Sequence, residues 1–445
     1  MKRWLCNIVY LGIILLASPI IFYRAVRYGK YREGFKQKFL GRIPRRYKAL
    51  NHNSHNSNNS NKKVVWFHAV SVGEVKLLQP LLQQIKIVQP DWCCVVSTTS
   101  KTGMDLAKQL FAEDWAVFYC PLDFSWAVRK AFARLKPDML VLVEQELWPN
   151  LIDTAKRNGT KLAIVNGRFG EGGYKRYLWL RPIITPMLKQ FDLVAPQTEL
   201  YAGWFRRLGV SSEAIRITGS IKFDGANTDR NNPETKRLRK LAGIATDDVV
   251  FLAGSTQHPE EKFAVECYEN LRGNFPQLRL ILVPRHPERF DEVGTMLDDK
   301  GIHWERRSTL YSERSSDRGT ERARVLLVDT VGELGGWWGT STIAFVGGSL
   351  GKRGGQNMIE PAAYGSAICF GPNTKNFRDI VEMMLRDEAA VVIHDQQEME
   401  QFVRRCLEEP NFAEQLGQNA QKLVKRQVGA TAKTLDRLSE LLKPG

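Results

Sequence analysis

Charged side chains that directly follow a run of buried-type residues are where chemistry is most readily sought, because burying a charge is costly unless it is paired or used. The stretch VVWFHAVSVGEVKLLQPLLQQI, residues Val64–Ile85, ends its apolar run in a Ser-Val-Gly turn. Glu74 stands where that turn becomes a helix. A carboxylate at this point caps the helix or removes a proton from a substrate. The two roles pull apart: a helix N-terminus favours the ionised form and lowers its pKa, whereas a base works best with a pKa near 7. In VEQELWPN, Glu144 and Glu146 follow another buried-type strand, where they line a cleft or pair with a cation. Lys222, in GSIKFD, falls at the junction between the two halves of the chain, where a cation reaches across.

The second half carries a different chemistry. The segment FVGGSLGKRGGQNMIEPAAYG, Phe345–Gly365, runs from a strand through glycine-rich chain bearing Lys352 and Arg353, and into a helix near Asn357. Glycines let backbone N–H groups approach an anion, and a helix N-terminus adds partial positive charge. The spacing is neither a Walker A loop nor GxGxxG. Glu360 either accepts hydrogen bonds from ribose hydroxyls or serves as a carboxylate at the helix start. In VPRHPER, prolines stiffen a loop carrying Arg285, His286 and Arg289, and Arg285 is a phosphate clamp or part of a solvated basic loop. VDTVGEL offers one more strand-to-helix turn, with the Gly332 backbone able to line a base.

These residues need elements to hold them. From Lys62 onward, continuous apolar segments alternate with helical ones, as in CCVVSTTS before KTGMDLAKQLF and DMLVLVEQE before LWPNLIDTAKRNG. Such alternation predicts parallel sheets covered on both faces, an α/β fold. Gly219–Arg237 breaks the rhythm with Gly, Asn, Asp and Pro, which divides the chain into a Rossmann-like domain over 62–230 and a second over 231–445. The two are expected to face each other across a cleft. Every motif above falls beyond the carboxyl end of a strand, where open α/β sheets bind their ligands.

Residues 1–48 read differently. Leu5–Tyr23 is mostly apolar and carries no charge, a length that would cross the hydrocarbon of a bilayer as a helix. Pro19 interrupts it, which leaves an interfacial helix as the other disposition. Between Arg24 and Lys48 there are ten lysines and arginines against Glu33 alone, a large share of the net charge of +16. That arm predicts contact with anionic inner-membrane lipid and places the remainder on the cytoplasmic side. No basic motif interleaved with aromatics occurs elsewhere, so nucleic acid is not an expected partner. Residues 49–61, mostly Asn and Ser, form a polar low-complexity linker. The seven cysteines include no CxxC pair and the seven histidines no HExxH, so neither a disulfide framework nor a metal centre is predicted.

Taken together and in this order, HAVSVGE, EQELWPN, GSIKFD, PRHPERF and GGSLGKRGGQNMIEP resemble the 3-deoxy-D-manno-octulosonic acid (Kdo) transferases of Gram-negative lipopolysaccharide synthesis, over nearly the whole chain. The resemblance implies a GT-B glycosyltransferase with an N-terminal membrane anchor helix. CMP-Kdo would be the donor and a lipid A precursor, lipid IVA, the acceptor, with inversion at the anomeric centre and no metal or cofactor. No protein partner is implied. By the same resemblance Glu74 is the general base, and Glu144 and Lys222 stabilise the transition state. Pro284, Arg285, Gly332, Glu333, Leu334, Asn357, Met358, Ile359 and Glu360 hold CMP. The chain departs from the family pattern at Gln356, usually histidine; at STQHPEE, usually STHxGEE; and at NGRFG, usually NARLS, which keeps Arg168. The alternative reading is another inverting GT-B enzyme that uses a UDP-sugar on a membrane lipid.

Overall fold

A computed structural model of the chain describes residues 3–28, 33–45, 62–310 and 322–443. The polar linker at 49–61, and Lys30, Arg32, Arg46 and Lys48 of the basic arm, lie outside the described residues. The chain forms two compact units, Met1–Asp224 with Gln427–Gly445, and Gly225–Arg426.

The first unit is built on a six-stranded, all-parallel sheet: β1 (Lys63–His68), β2 (Trp92–Thr98), β3 (Ala116–Tyr119), β4 (Met139–Val143), β5 (Lys161–Gly167) and β6 (Leu193–Pro196). Its order is β3-β2-β1-β4-β5-β6, so the winding reverses between β1 and β4. Strand side chains alternate between faces. Trp66, Leu140 and Ile164 pack into one core layer, and Val65, Phe67, Val141 and Ala163 into the other. The helix Val72–Val88 covers the second face with Val75, Leu77, Leu78, Leu81, Leu82 and Ile85, the residues its sequence periodicity picks out.

The second unit repeats the plan with seven parallel strands: β7 (Val249–Thr256), β8 (Leu278–Pro284), β9 (Trp304–Arg306), β10 (Val325–Leu327), β11 (Ile343–Val346), β12 (Ala367–Phe370) and β13 (Val391–Val392). The order is β13-β12-β11-β7-β8-β10-β9, with the winding reversed between β7 and β11. Among the described residues, six cysteines, Cys93 and Cys94 among them, are buried and outside any disulfide, as small apolar residues would be.

Two expectations change. The last helix, Ala430–Leu442, read from the sequence as part of the second domain, packs in the first unit against the helix Val72–Val88 and strands β5 and β6. Its entry is fixed by Asp224, whose carboxylate accepts hydrogen bonds from the N–H groups of Gly429, at 2.7 Å, and Thr431. The bilayer span expected at Leu5–Tyr23 is not found: among the described residues no helix is long and apolar enough to cross a membrane. Arg3–Tyr28 is one helix with Pro19 inside it. Two of its polar side chains, Asn7 and Tyr10, are tied to the rest of the first unit. Asn7 donates to Ser125 Oγ at 2.8 Å and accepts from Ser125 N at 3.0 Å, and Tyr10 donates to Asp123 at 3.1 Å.

Candidate active site

In the first unit, the segments after β1 and β4 meet where the winding reverses, the crevice in which a doubly wound sheet receives ligands. Glu74 comes from the first segment. It completes a reciprocal capping box at the head of Val72–Val88. Ser71 Oγ accepts from Glu74 N at 3.2 Å, while Glu74 Oε1 accepts from the Ser71 hydroxyl at 2.6 Å and Oε2 from Val70 N at 2.8 Å. The residue is 8% exposed. Burial pushes its carboxyl above the ordinary value; the bonds from Ser71 and Val70 oppose that shift, and the Glu144 charge adds to it. The helix end alone would have moved it the other way, so desolvation outweighs capping here.

Glu144 comes from the second segment. It leaves β4 with a φ of +62°, the left-handed region that side chains rarely adopt. Its amide is held by Val165 O at 2.9 Å, and its carboxylate pairs with Arg168 Nε at 2.8 Å. Glu146, two residues on, accepts from Trp148 Nε1 at 3.1 Å. Burial and the Glu74 charge push its carboxyl up to about 7, against the Trp148 bond and with a further push from Glu144. Three carboxylates therefore share one electrostatic neighbourhood, and two of them, Glu74 and Glu146, are shifted toward the protonated form.

Asp123 holds the helix that follows Glu146. Trp148, which caps the helix Pro149–Arg157, has no side-chain acceptor to offer that helix's free N–H groups. Asp123 supplies one from beyond β3, accepting from Asn150 N at 2.9 Å and Leu151 N at 2.8 Å. Burial nevertheless pushes its carboxyl up to about 7. Lys222 lies half-buried in the single turn Ile221–Phe223, which packs against the helix that carries Glu74. Glu74, Glu144 and Lys222 thus belong to one unit.

The nine residues assigned to CMP by resemblance all fall in the second unit, at the end of strand β8 or after strands β8, β10 and β11. Pro284 ends β8. Arg285 N donates to Thr256 O at 3.0 Å while its side chain stays exposed. Gly332 turns with a φ of +96°. Glu333 is tied into a network, accepting from Arg307 at 2.6 Å, Thr330 at 2.7 Å and Arg237 at 3.0 Å. Burial alone would raise its carboxyl, but those hydrogen bonds hold it down at about 2. Leu334 opens the short helix Leu334–Trp338. Asn357 donates to Glu360 Oε1 at 2.9 Å and accepts from Ile359 N at 3.1 Å, while Met358 is buried. Burial raises the Glu360 carboxyl against the Asn357 bond. A Cβ on Gly335 would stand 3.9 Å from Glu360 Oε2, so the turn after β10 and the segment after β11 adjoin.

The glycine-rich segment corrects an expectation. Its first amides are not presented to an outside anion. Gly348 N, Ser349 N and Leu350 N donate to the Glu260 carboxylate at 2.7, 3.0 and 3.0 Å, joined by Gln257 N at 2.9 Å. The helix that follows, Ile359–Ala363, has only five residues, too few for a strong terminal dipole. Of the residues that differ from the family pattern, His258 is exposed and Gln356 lies half-buried beside Gly348. Local sequence does not single out Asp123, Glu260, Arg237 or Arg307, and Arg168 stands out in it only as a match to the family pattern, without its partner. The pairs Asp123–Asn150, Glu260–Gly348, Arg237–Glu333 and Arg168–Glu144 each join residues far apart in the chain, and no local pattern announces them.

Comparison with known proteins follows the same lines. A family model described as 3-Deoxy-D-manno-octulosonic-acid transferase (kdotransferase) matches residues 41–225. The chain is 30% identical to a 3-deoxy-D-manno-octulosonic acid transferase of Haemophilus influenzae, over 98% of this chain and 97% of the relative. It is 32% identical to one from Bordetella pertussis, over 85% of this chain and 87% of the relative. Among solved structures, a glycosyltransferase from Rickettsia africae shares the fold at 14% identity with a TM-score of 0.53, over 86% of this chain and 100% of that one. The chain belongs to the 3-deoxy-D-manno-octulosonic acid transferases, a family of glycosyltransferases.

Proposed function

We propose that the protein transfers Kdo from CMP-Kdo to a lipid A precursor, lipid IVA, with inversion at the anomeric carbon and without a metal or cofactor. The observation that carries this reading is Glu74: a nearly buried carboxylate, raised above its ordinary pKa, at the switch point of the first sheet beside Glu144. A sugar hydroxyl is a poor nucleophile. Glu74 takes its proton as the oxygen bonds to the anomeric carbon, and the bond from that carbon to the CMP phosphate breaks with its electron pair. Glu144, fixed by Arg168, supplies negative charge where the sugar ring becomes electron-poor, and Lys222 supplies positive charge toward the donor or leaving group. Arg285, the turn Gly332–Leu334 and the segment Asn357–Glu360 hold CMP.

The helix Arg3–Tyr28 is proposed to lie in the membrane interface rather than across the bilayer, with the catalytic units on the cytoplasmic side. Leu11, Leu15, Leu16 and Ile20 are exposed on it, Leu16 by 84%, while Asn7 and Tyr10 tether it to the first unit. The following cations then meet anionic lipid.

The test is transfer from CMP-Kdo, generated in situ, to tetraacylated lipid A precursor, with products resolved by mass. Discrete additions of one Kdo mass are expected, competed by CMP and not by UDP. Competition by UDP instead would favour the UDP-sugar reading. A folded protein that neither transfers Kdo nor binds CMP would undo the proposal.

A further inference from the structure

The crevice between β7 and β11 is where the second sheet reverses its winding, and where an anionic ligand group ordinarily meets backbone amides. Here the chain fills that place itself. Glu260 is 1% exposed, and its two oxygens take four N–H groups, from Gln257, Gly348, Ser349 and Leu350. The packing is close: a Cβ on Gly347 would stand 2.6 Å from Thr256 Cα and 2.8 Å from Glu260 Oε2, so only glycine fits. Behind the amides, the Ser349 hydroxyl donates to Val346 O at 2.6 Å and accepts from Gly371 N at 2.8 Å, fixing the loop to β11 and to the segment after β12.

We infer that Glu260 is a positioning residue for donor binding: its carboxylate stands in for a ligand anion on the Gly348–Leu350 amides and sets the course of the chain that follows. The inference rests on the reading that this unit binds the CMP-linked donor. Two consequences follow from the geometry. The donor phosphate cannot use those three amides, which already have an acceptor, and a second anion there would meet like charge. The donor must be met further along, where the same loop carries Lys352, Arg353 and the segment Asn357–Glu360. Arg285, beyond the neighbouring strand β8, stands on the other side of the switch. Glutamine is a poor replacement for Glu260, because its single oxygen cannot accept four N–H groups and its amide would face donors.

The test uses the full-length protein in detergent. Glu260→Ala should raise KM for CMP-Kdo about tenfold or more while changing kcat less, the signature of lost ground-state binding. Formate, a carboxylate small enough to enter the vacancy, should restore much of that loss and have no effect on the wild type. An unchanged KM, or a loss of kcat alone that formate does not touch, would overturn the inference. Should the variant fail to fold, hydrogen exchange of the wild type decides the matter. The Gly348–Leu350 amides should be protected before CMP is added and unchanged by it, while residues 352–358 gain protection. CMP-dependent protection at Gly348–Leu350 would refute the inference. Absence of CMP binding by the wild type would remove the donor reading and the inference with it, even though those amides stayed protected.

Discussion

Replacing Glu74 separates a cap from a base. In Glu74→Gln the side-chain oxygen can still accept from Val70 N, and the amide can donate to Ser71 Oγ in place of the bond now running the other way. The capping box is therefore largely kept, and the expected cost is about 0.5–1 kcal/mol of stability. Glu74→Ala strips both bonds from the head of a core helix, with an expected cost of about 1–3 kcal/mol. Activity should not follow this ranking. A positioned general base contributes roughly 10²–10⁴-fold, so both variants should lose turnover by at least about a hundredfold. Urea midpoints give the stabilities, Kdo transfer at saturating donor gives kcat, and calorimetric titration with CMP should show unchanged affinity. Ser71→Ala adds a pH arm. Removing a hydrogen bond that lowers the Glu74 pKa should move the acid limb of kcat/KM to higher pH. Turnover by Glu74→Gln within about threefold of the wild type would reduce Glu74 to a helix cap and refute the mechanism.

Other consequences can be measured separately. Arg168→Ala leaves Glu144 without its ion-pair partner at 2.8 Å, in a largely buried setting; a stability loss of about 1–3 kcal/mol and a fall in kcat larger than any change in CMP affinity are expected, and unchanged kcat would remove Arg168 from the site. Asp123 has its folded pKa raised from 3.8 to about 7, so the folded state binds the extra proton and stability should fall as pH rises from about 4 to 7, by up to about 4 kcal/mol from this group. In Asp123→Asn that slope should flatten in urea denaturation at several pH values, and parallel curves for the two proteins would contradict the assignment. Glu333 has the opposite sign. Its folded pKa of about 2 contributes stability that is present above about pH 4.5 and lost as pH falls toward 2, so Glu333→Gln should flatten the acid limb of stability. An acid limb as steep in the variant as in the wild type would show that the Arg307 and Arg237 network does not hold that charge.

Much of the architecture was legible because it depends on local pattern. The apolar face of Val72–Val88 follows from spacing alone, since a 3.6-residue repeat leaves one stripe to bury. Continuous apolar strands between helices imply parallel sheets, and both sheets are parallel throughout. The order of the short motifs pointed to the family that the relatives bear out. What was illegible depends on contacts between distant segments. The helix Ala430–Leu442 reads as the end of the second half, yet it is drawn to the first by Asp224, about two hundred residues earlier. Glycines after β11 read as an open anion cradle, because nothing near them in sequence reveals that Glu260 already occupies it.

Glu74 shows where the division lies. Its residue type, the serine three places earlier and the helix start were present in the sequence, and they determined a capping box. Whether its carboxyl sits below or above its ordinary pKa depended on how much water the fold removes and on Glu144 arriving from another strand. Local hydrogen bonding is a property of neighbours in the chain, whereas desolvation and through-space charge belong to the packed structure, and only tertiary structure decided which of them prevailed.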